Sequence, residues 1–420
     1  MPQARIVIAF AKMASRGVVL VLVMLFLFSL PTTNSGGQSA SDNPQIREET
    51  LWENSALPNL LLPLALVDLA QSSDGSAVLL VSDREDKKSL FIGANESGAG
   101  HLVPLPMLAT VPASGLRLVA GAADQIWIGG TSNYREAPFG GRLSDAYLAK
   151  LDSNGKFEWE HTFEDPDGKE IHDLAALSGG DVVVVGKAHD KSWLARISAD
   201  AHIIWERSIG LGCAATVAVV GDTILVTGFD ANAEVMWRFN GAGDSINHQV
   251  IEKIIDEPPG PFLFIKVFAD KSNDAIYVFS LWSETFNPQE SLTAHPLKVI
   301  KLDSQGQIVW RSELSQAVLQ GLKAADLGPD HRATFCIRPI IGLRGNGDPL
   351  VACPGRNLLL ISQLESMTGE LTQTVVQRSG SSPCQEYRSW PKVIVPRADK
   401  TIWLFGAGRC MWLDRTSLMQ

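Results

Sequence analysis

One unit of text recurs in this chain: DAYLAKLDSNGKFEWEHTF from Asp145, SWLARISADAHIIWERSI from Ser192 and PLKVIKLDSQGQIVWRSEL from Pro296. Each copy reads as two strands joined by a polar turn, and the copies follow a period of roughly 40 to 50 residues. Four-stranded units repeated at that spacing are the mark of an all-β chain arranged as a β-propeller. Such a scaffold hosts many activities, so function has to be argued from its loops and channel side chains.

The unit divides into four strands. The second is strongly apolar and often ends in Gly, as in QIWIGG from Gln125, DVVVVG from Asp181, TILVTG from Thr223 and TIWLFG from Thr401. Between the third and fourth strands lies a turn such as Asp152–Gly155 (DSNG) or Asp303–Gly306 (DSQG), whose residues tolerate the positive φ of a tight hairpin. Blades are expected at 66–106, 115–163, 171–209, 213–251, 262–314 and 321–377. A seventh, three-stranded blade runs from near Trp390 to the end. EETLWENSAL from Glu48 resembles HIIWERSI and QIVWRSEL, so an N-terminal strand is expected to supply the missing fourth strand of the last blade and remove two sheet edges. Seven blades with that closure is the reading; six or eight are the alternatives. The domain spans 48–420.

Four stretches read as inserts: 132–144, 281–295, 337–357 and 378–390. The first three are placed between the second and third strands of blades two, five and six. Loops on a rigid ring are where propellers usually bind.

Residues 1–37 combine Arg5, Lys12 and Arg16 with the apolar run Gly17–Leu30 and a polar, small-residue exit, the pattern of a secretory signal peptide. The run is shorter than the roughly 20 residues of a bilayer span, so a retained short N-terminal anchor is the alternative. Residues 38–47 read as a flexible linker. Export to the periplasm or outside the cell is therefore expected. The formal charge of −10 becomes more negative once a basic leader is removed, which disfavours nucleic acid and anionic lipid as partners. Five cysteines are too few for a disulfide framework. Proximity suggests Cys336 with Cys353 and Cys384 with Cys410, leaving Cys213 as a small buried residue in an apolar run.

Trp159 and Trp310 stand four positions after the turn Gly, Trp205 holds the same place after Ala201, and Trp52 sits in the matching N-terminal text. A large ring at one point of the outer strand would fill space between adjacent twisted sheets. Trp282, in the long insert of blade five, is the candidate surface aromatic for stacking on a sugar. The acidic turns EDPDGKE from Glu164 and FADKSNDA from Phe268 lack the six to eight spaced oxygens of a calcium loop and read as solvated turns. The eight His are scattered, and no nucleophile elbow, HExxH or phosphate-cradling loop is present. No catalytic residue, metal ligand or cofactor is assigned.

DAYLAKLDSNGKFEWEHTF, followed after a spacer by DLAALSGGDVVVVGKAHDK, resembles the repeat of bacterial secreted β-propellers grouped with quinoprotein-like and WD40-like proteins. The resemblance covers residues 48–420 and is strongest over 145–209 and 296–314. It implies the architecture, and a role like that of the family's outer-membrane assembly scaffolds and adhesion modules. Quinoprotein dehydrogenases of the wider group carry pyrroloquinoline quinone with calcium and a disulfide of adjacent cysteines. This chain has no adjacent cysteines. The expectation is an exported, non-enzymatic scaffold for a protein or cell-envelope partner. The alternatives are a channel-mouth lyase or hydrolase acting on a glycan or peptide, built from His and carboxylates, and a carbohydrate-binding module.

Overall fold

A computed structural model describes residues 65–71, 77–82, 88–94, 101–105, 114–121, 125–136, 142–189, 191–211, 213–230, 233–253, 264–270, 275–281, 297–314, 340–344, 347–355, 358–378, 391–396, 401–407 and 411–417. Among them, strands pair in chain order into antiparallel sheets, six of four strands and one of three. Sheet one comprises β1 (Ala65–Gln71), β2 (Ala77–Ser82), β3 (Lys88–Ala94) and β4 (His101–Pro104). Sheet two comprises β5 (Ser114–Ala120), β6 (Ile126–Glu136), β7 (Arg142–Leu151) and β8 (Phe157–Phe163). Sheet three holds β9 (Lys169–Ala176), β10 (Val182–Ala188), β11 (Lys191–Ile197) and β12 (Ile203–Leu211). Sheet four holds β13 (Cys213–Val220), β14 (Thr223–Asp230), β15 (Ala233–Phe239) and β16 (Ser245–Lys253).

Sheet five is β17 (Phe264–Asp270), β18 (Ala275–Leu281), β19 (Leu297–Leu302) and β20 (Ile308–Glu313). Sheet six is β21 (Ile340–Leu343), β22 (Pro349–Gly355), β23 (Leu358–Leu364) and β24 (Leu371–Arg378). The three-stranded sheet is β25 (Pro391–Pro396), β26 (Thr401–Ala407) and β27 (Met411–Ser417). First strands lie against first strands: β1 against β5, β5 against β9, β9 against β13, β13 against β17 and β21 against β25, while β25 also approaches β1.

The second strands are buried on both faces, which is why they read as continuous apolar runs rather than as alternation. Val182, Val183, Val184 and Val185 of β10 are all fully buried. Each apolar cluster spans two sheets. Val183, Val185, Leu194 and Trp205 of sheet three pack with Val217, Ile224, Val226 and Trp237 of sheet four. Gly186 closes β10 where its register with β9 shifts; a Cβ there would lie 1.8 Å from the Glu170 carbonyl oxygen, so no other residue fits.

Alternating strand direction sorts the connections onto two ends. Links from first to second and from third to fourth strands share one end; hairpins from second to third strands and crossings between sheets share the other. The first end is built from short repeated turns. In 152–156, 198–202, 240–244 and 303–307 the first N–H bonds the last C=O at 2.9–3.0 Å, with Gly155, Ala201, Gly243 and Gly306 at positive φ. On the second end, strands are separated by 254–263, 282–296, 314–339 and 379–390.

Sheet six departs from the sequence expectation. The stretch 337–357, read as an insert between second and third strands of a blade starting at 321, contains β21 and β22, the first two strands of the sheet. Proline and glycine (Pro339, Gly342, Pro349, Pro354, Gly355) disguised them as a loop. The turn between them repeats that of sheet three: Arg344 N–H bonds Asp348 O at 2.9 Å as Leu177 N–H bonds Asp181 O at 2.8 Å. The stretch 132–144 is also mostly ladder. β6 and β7 pair out to Glu136 and Arg142, with a register shift after Ser132 and Asn133 at φ 50°.

Candidate functional site

On the end with the long connections, the seam between sheets two and three is locked by a polar web. Asp145, at 3% exposure, accepts from Arg135 Nη1 at 2.8 Å, from Asn133 Nδ2 at 3.3 Å and from the Asp165 N–H at 3.3 Å. Arg135 also donates to the Asp165 carbonyl, so the β6–β7 hairpin grips the crossing 164–168 between the two sheets. Burial works against the charged Asp145 carboxylate, but these donors outweigh it and hold its pKa below the usual carboxylate value. From the other side, the β10–β11 hairpin closes on the same crossing: His189 N–H bonds Gly168 O at 3.1 Å. Its imidazole sits between Asp167 (Nδ1 to Oδ2, 3.3 Å) and Asp165 (Nε2 to Oδ2, 3.7 Å).

Asp165, Asp167 and His189 each place a donor atom within 4.8 Å of the others. Sequence reasoning missed this group because His189 comes from the next hairpin. Three donors fall short of a calcium shell, and each nitrogen of the ring faces a carboxylate of the crossing. The cluster reads as a tie that stiffens the loops. It leaves Asn133, Tyr134, Glu136, Glu164, Asp167 and His189 exposed on a braced surface.

A second His–acid pair lies on β9. His172 Nε2 meets Glu170 Oε2 at 3.2 Å, and its Nδ1 meets Ala214 O of β13 at 3.0 Å. The hydrogen bond from His172 lowers the Glu170 pKa despite burial, helped by Ser144 Oγ at 2.9 Å. The catalytic alternative calls for a His and an acid near the axis, and this pair stands on an innermost strand. Both ring nitrogens face acceptors, however, so the ring works as a staple between sheets three and four rather than as a base open to a substrate proton. The adjacent Asp173 reinforces that seam, accepting from Thr216 Oγ1 and from Val217 N–H at 3.1 Å. Asp68 does the same between sheets one and two, accepting from Leu118 N–H at 2.8 Å.

The recurring tryptophans lie toward the opposite end. Each donates its indole N–H to the second residue of the next sheet's turn: Trp159 to Ala199 O at 2.7 Å, Trp205 to Gly241 O at 3.1 Å and Trp310 to Ser366 O at 3.0 Å. Sheet four has Asn247 at that place, and its tie to 303–307 is made by Arg238 and by Gln249, which donates to Gly306 O at 2.6 Å. Trp52, Trp282, Cys336, Cys384 and Cys410 lie outside the described residues. Cys353 stands on β22 opposite Leu360.

No family model matches the chain and no curated protein matches it. Solved structures do. A chain in the crystal structure of a mitotic checkpoint complex matches at TM-score 0.50 and 8% identity over 95% of this chain and 99% of that one. Sqt1 of Saccharomyces cerevisiae matches at 0.48 and 8% over 84% of each, and the Dos1 propeller at 0.44 and 10% over 90% and 87%. The fold is that of a β-propeller. The β6–β7 and β10–β11 hairpins at the loop end of sheets two and three are each anchored by their own hydrogen-bond ladders. Among the described residues, no helix is long and apolar enough to cross a membrane.

Proposed function

We propose that this protein is an exported, non-enzymatic seven-bladed propeller, its last blade completed by a strand from residues 48–57, that holds a protein or cell-envelope partner on its long-connection end. The observation that carries the reading is the contrast between the two ends. One end repeats the same short turn, tied sheet to sheet. The other carries the longer connections between strands and, at sheets two and three, a polar platform in which Asp145 is buried, its partner Arg135 is partly exposed and Tyr134 is 42% exposed. An amphipathic ring over a rigid polar base is a common protein-interface arrangement, and rigidity lowers the ordering cost of binding. The leader-like residues 1–37 support export.

The test is mild crosslinking of the tagged full-length protein in its native envelope, with crosslinked residues located by mass spectrometry. Capture of one protein through 132–144, 164–168 and 282–296, lost in Tyr134→Ala, supports the scaffold. Capture confined to the short-turn end, or none at all, rules it out.

A further inference from the structure

The short-turn end carries a feature that its structural role does not require. Two and three positions after the left-handed turn residue, the outer strands of sheets three to five expose branched apolar side chains in series: Ile203 (40%) and Ile204 (50%) on β12, Ile246 (53%) on β16, and Ile308 (39%) and Val309 (51%) on β20. Met367 continues the series at 74% exposure in the next turn, 365–370. The ties of Trp205, Gln249 and Trp310 to successive turns set these positions side by side along one rim. Sheet two lacks the feature: Glu158 stands in place of Ile204 and pairs with Lys150 Nζ at 2.7 Å.

The turns beside this belt carry charge of one sign, while exposed Arg207 and Arg311 on β12 and β20 are matched by exposed Glu206 and Glu313. The turns 198–202, 240–244, 303–307 and 365–370 contain Asp200, Asp244, Asp303, Glu365 and Glu370, and neither Lys nor Arg. Nearby cations are turned onto backbone carbonyls. Arg207 reaches Gly243 O at 3.2 Å and lies over the Trp205 ring, Arg311 reaches Ile251 O at 3.0 Å, and Lys301 reaches Ser366 O at 2.6 Å. Single exposed apolar residues are ordinary, but a row of them beside turns of one sign of charge marks an interaction surface.

We propose that this rim is a second docking surface, distinct from the loop end, and that its occupant is a basic, apolar peptide segment laid across the outer strands of sheets three to five. Branched side chains of the segment meet the Ile and Val row while its Lys or Arg side chains meet the acidic turns.

The probe is a fluorescein-labelled peptide of alternating Leu and Lys carrying a photo-crosslinker, with a Leu–Glu peptide as control and the full chain as receptor. Binding is followed by anisotropy at low and high salt. The variant Ile204→Thr/Ile246→Thr/Val309→Thr keeps strand-forming residues at exposed sites and adds no charge. Asp200→Asn/Glu370→Gln tests the charge arm. We expect salt-sensitive binding of the Leu–Lys peptide with crosslinks at 203–204, 246–250 and 308–309. Affinity should fall about tenfold in the Thr variant, and the Leu–Glu peptide should not bind. Equal affinity of the Thr variant, crosslinks elsewhere, or no binding overturns the proposal. So does a dimer in sedimentation equilibrium that the Thr variant dissolves, or co-flotation with zwitterionic vesicles. Failure here leaves the loop-end reading standing, because Tyr134→Ala and the crosslinks at 132–144 address a different end.

Discussion

Gly243→Ala tests whether the recurring tryptophan and the turn of the following blade form one interlocked unit. Gly243 lies at φ +80°, and a Cβ built on it falls 2.7 Å from Cδ2 and 2.8 Å from Cε2 of Trp205. The left-handed backbone alone costs an alanine about 1–2 kcal/mol. Carbon atoms prefer about 3.5–4.0 Å, so the ring must also shift in a packed seam, an overpacking cost of about 1–3 kcal/mol. The expected destabilisation is about 2–5 kcal/mol. Gly221 supplies the control: it has φ +56° and nothing within 4 Å of its Cβ, so Gly221→Ala should cost only the backbone part, about 1–2 kcal/mol. Trp205→Ala should itself cost about 3–5 kcal/mol through the lost ring, while the Gly241 carbonyl keeps its bond from Arg196 Nη1 at 2.8 Å. In that background Gly243→Ala should fall back to about 1–2 kcal/mol, since the ring it strikes is gone. Urea unfolding followed by far-ultraviolet circular dichroism gives all four values. Equal costs for Gly243→Ala and Gly221→Ala, or an unchanged cost in the Trp205→Ala background, would refute the interlock.

Ala201 occupies the same turn position at φ +66°, so Ala201→Gly should stabilise the chain by about 0.5–1 kcal/mol, read as a higher urea midpoint. Asp173→Ala leaves Thr216 Oγ1 and Val217 N–H without their shared acceptor and should cost about 1–3 kcal/mol, with faster amide exchange concentrated at 214–217. Asp145 and Glu170 both have folded pKa values below their unfolded ones, so each stabilises the fold above the unfolded carboxylate range, near pH 4, and loses that contribution as pH falls through the folded value. Thermal melts should therefore drop on acidification. The drop should shrink in Asp145→Asn, and an unchanged pH profile in that variant would remove the carboxylate from the account.

Several elements were legible because their signals are local. The turn after each third strand announces itself through Asp, Asn and Gly, and in the structure Asp152 and Asp303 each accept two backbone N–H bonds from within their own turns at 2.8–2.9 Å. Sheet six was misread where local signals conflicted, its prolines and glycines outweighing an apolar pattern that pairing resolves. A cue was present all the same: GNGD ending at Asp348 matches SGGD ending at Asp181. Both carboxylates cap the following turn of their own sheet, bonding Ser366 N–H at 2.9 Å and Ala199 N–H at 3.3 Å.

The sequence by itself determined the all-β repeat, the strand-turn-strand text and the places of the tryptophans, because strand period, turn chemistry and apolar runs are properties of neighbouring residues. Only the tertiary structure decided what those residues touch. Trp159 meets a carbonyl 40 positions away, Asp173 meets an amide 44 positions away, and His189 falls between Asp165 and Asp167. Those partners belong to the next sheet or the next hairpin, and which atom lies opposite which depends on the angle and register with which one twisted sheet packs on another. That geometry is set by the whole assembly of packed sheets, and no single repeat encodes it.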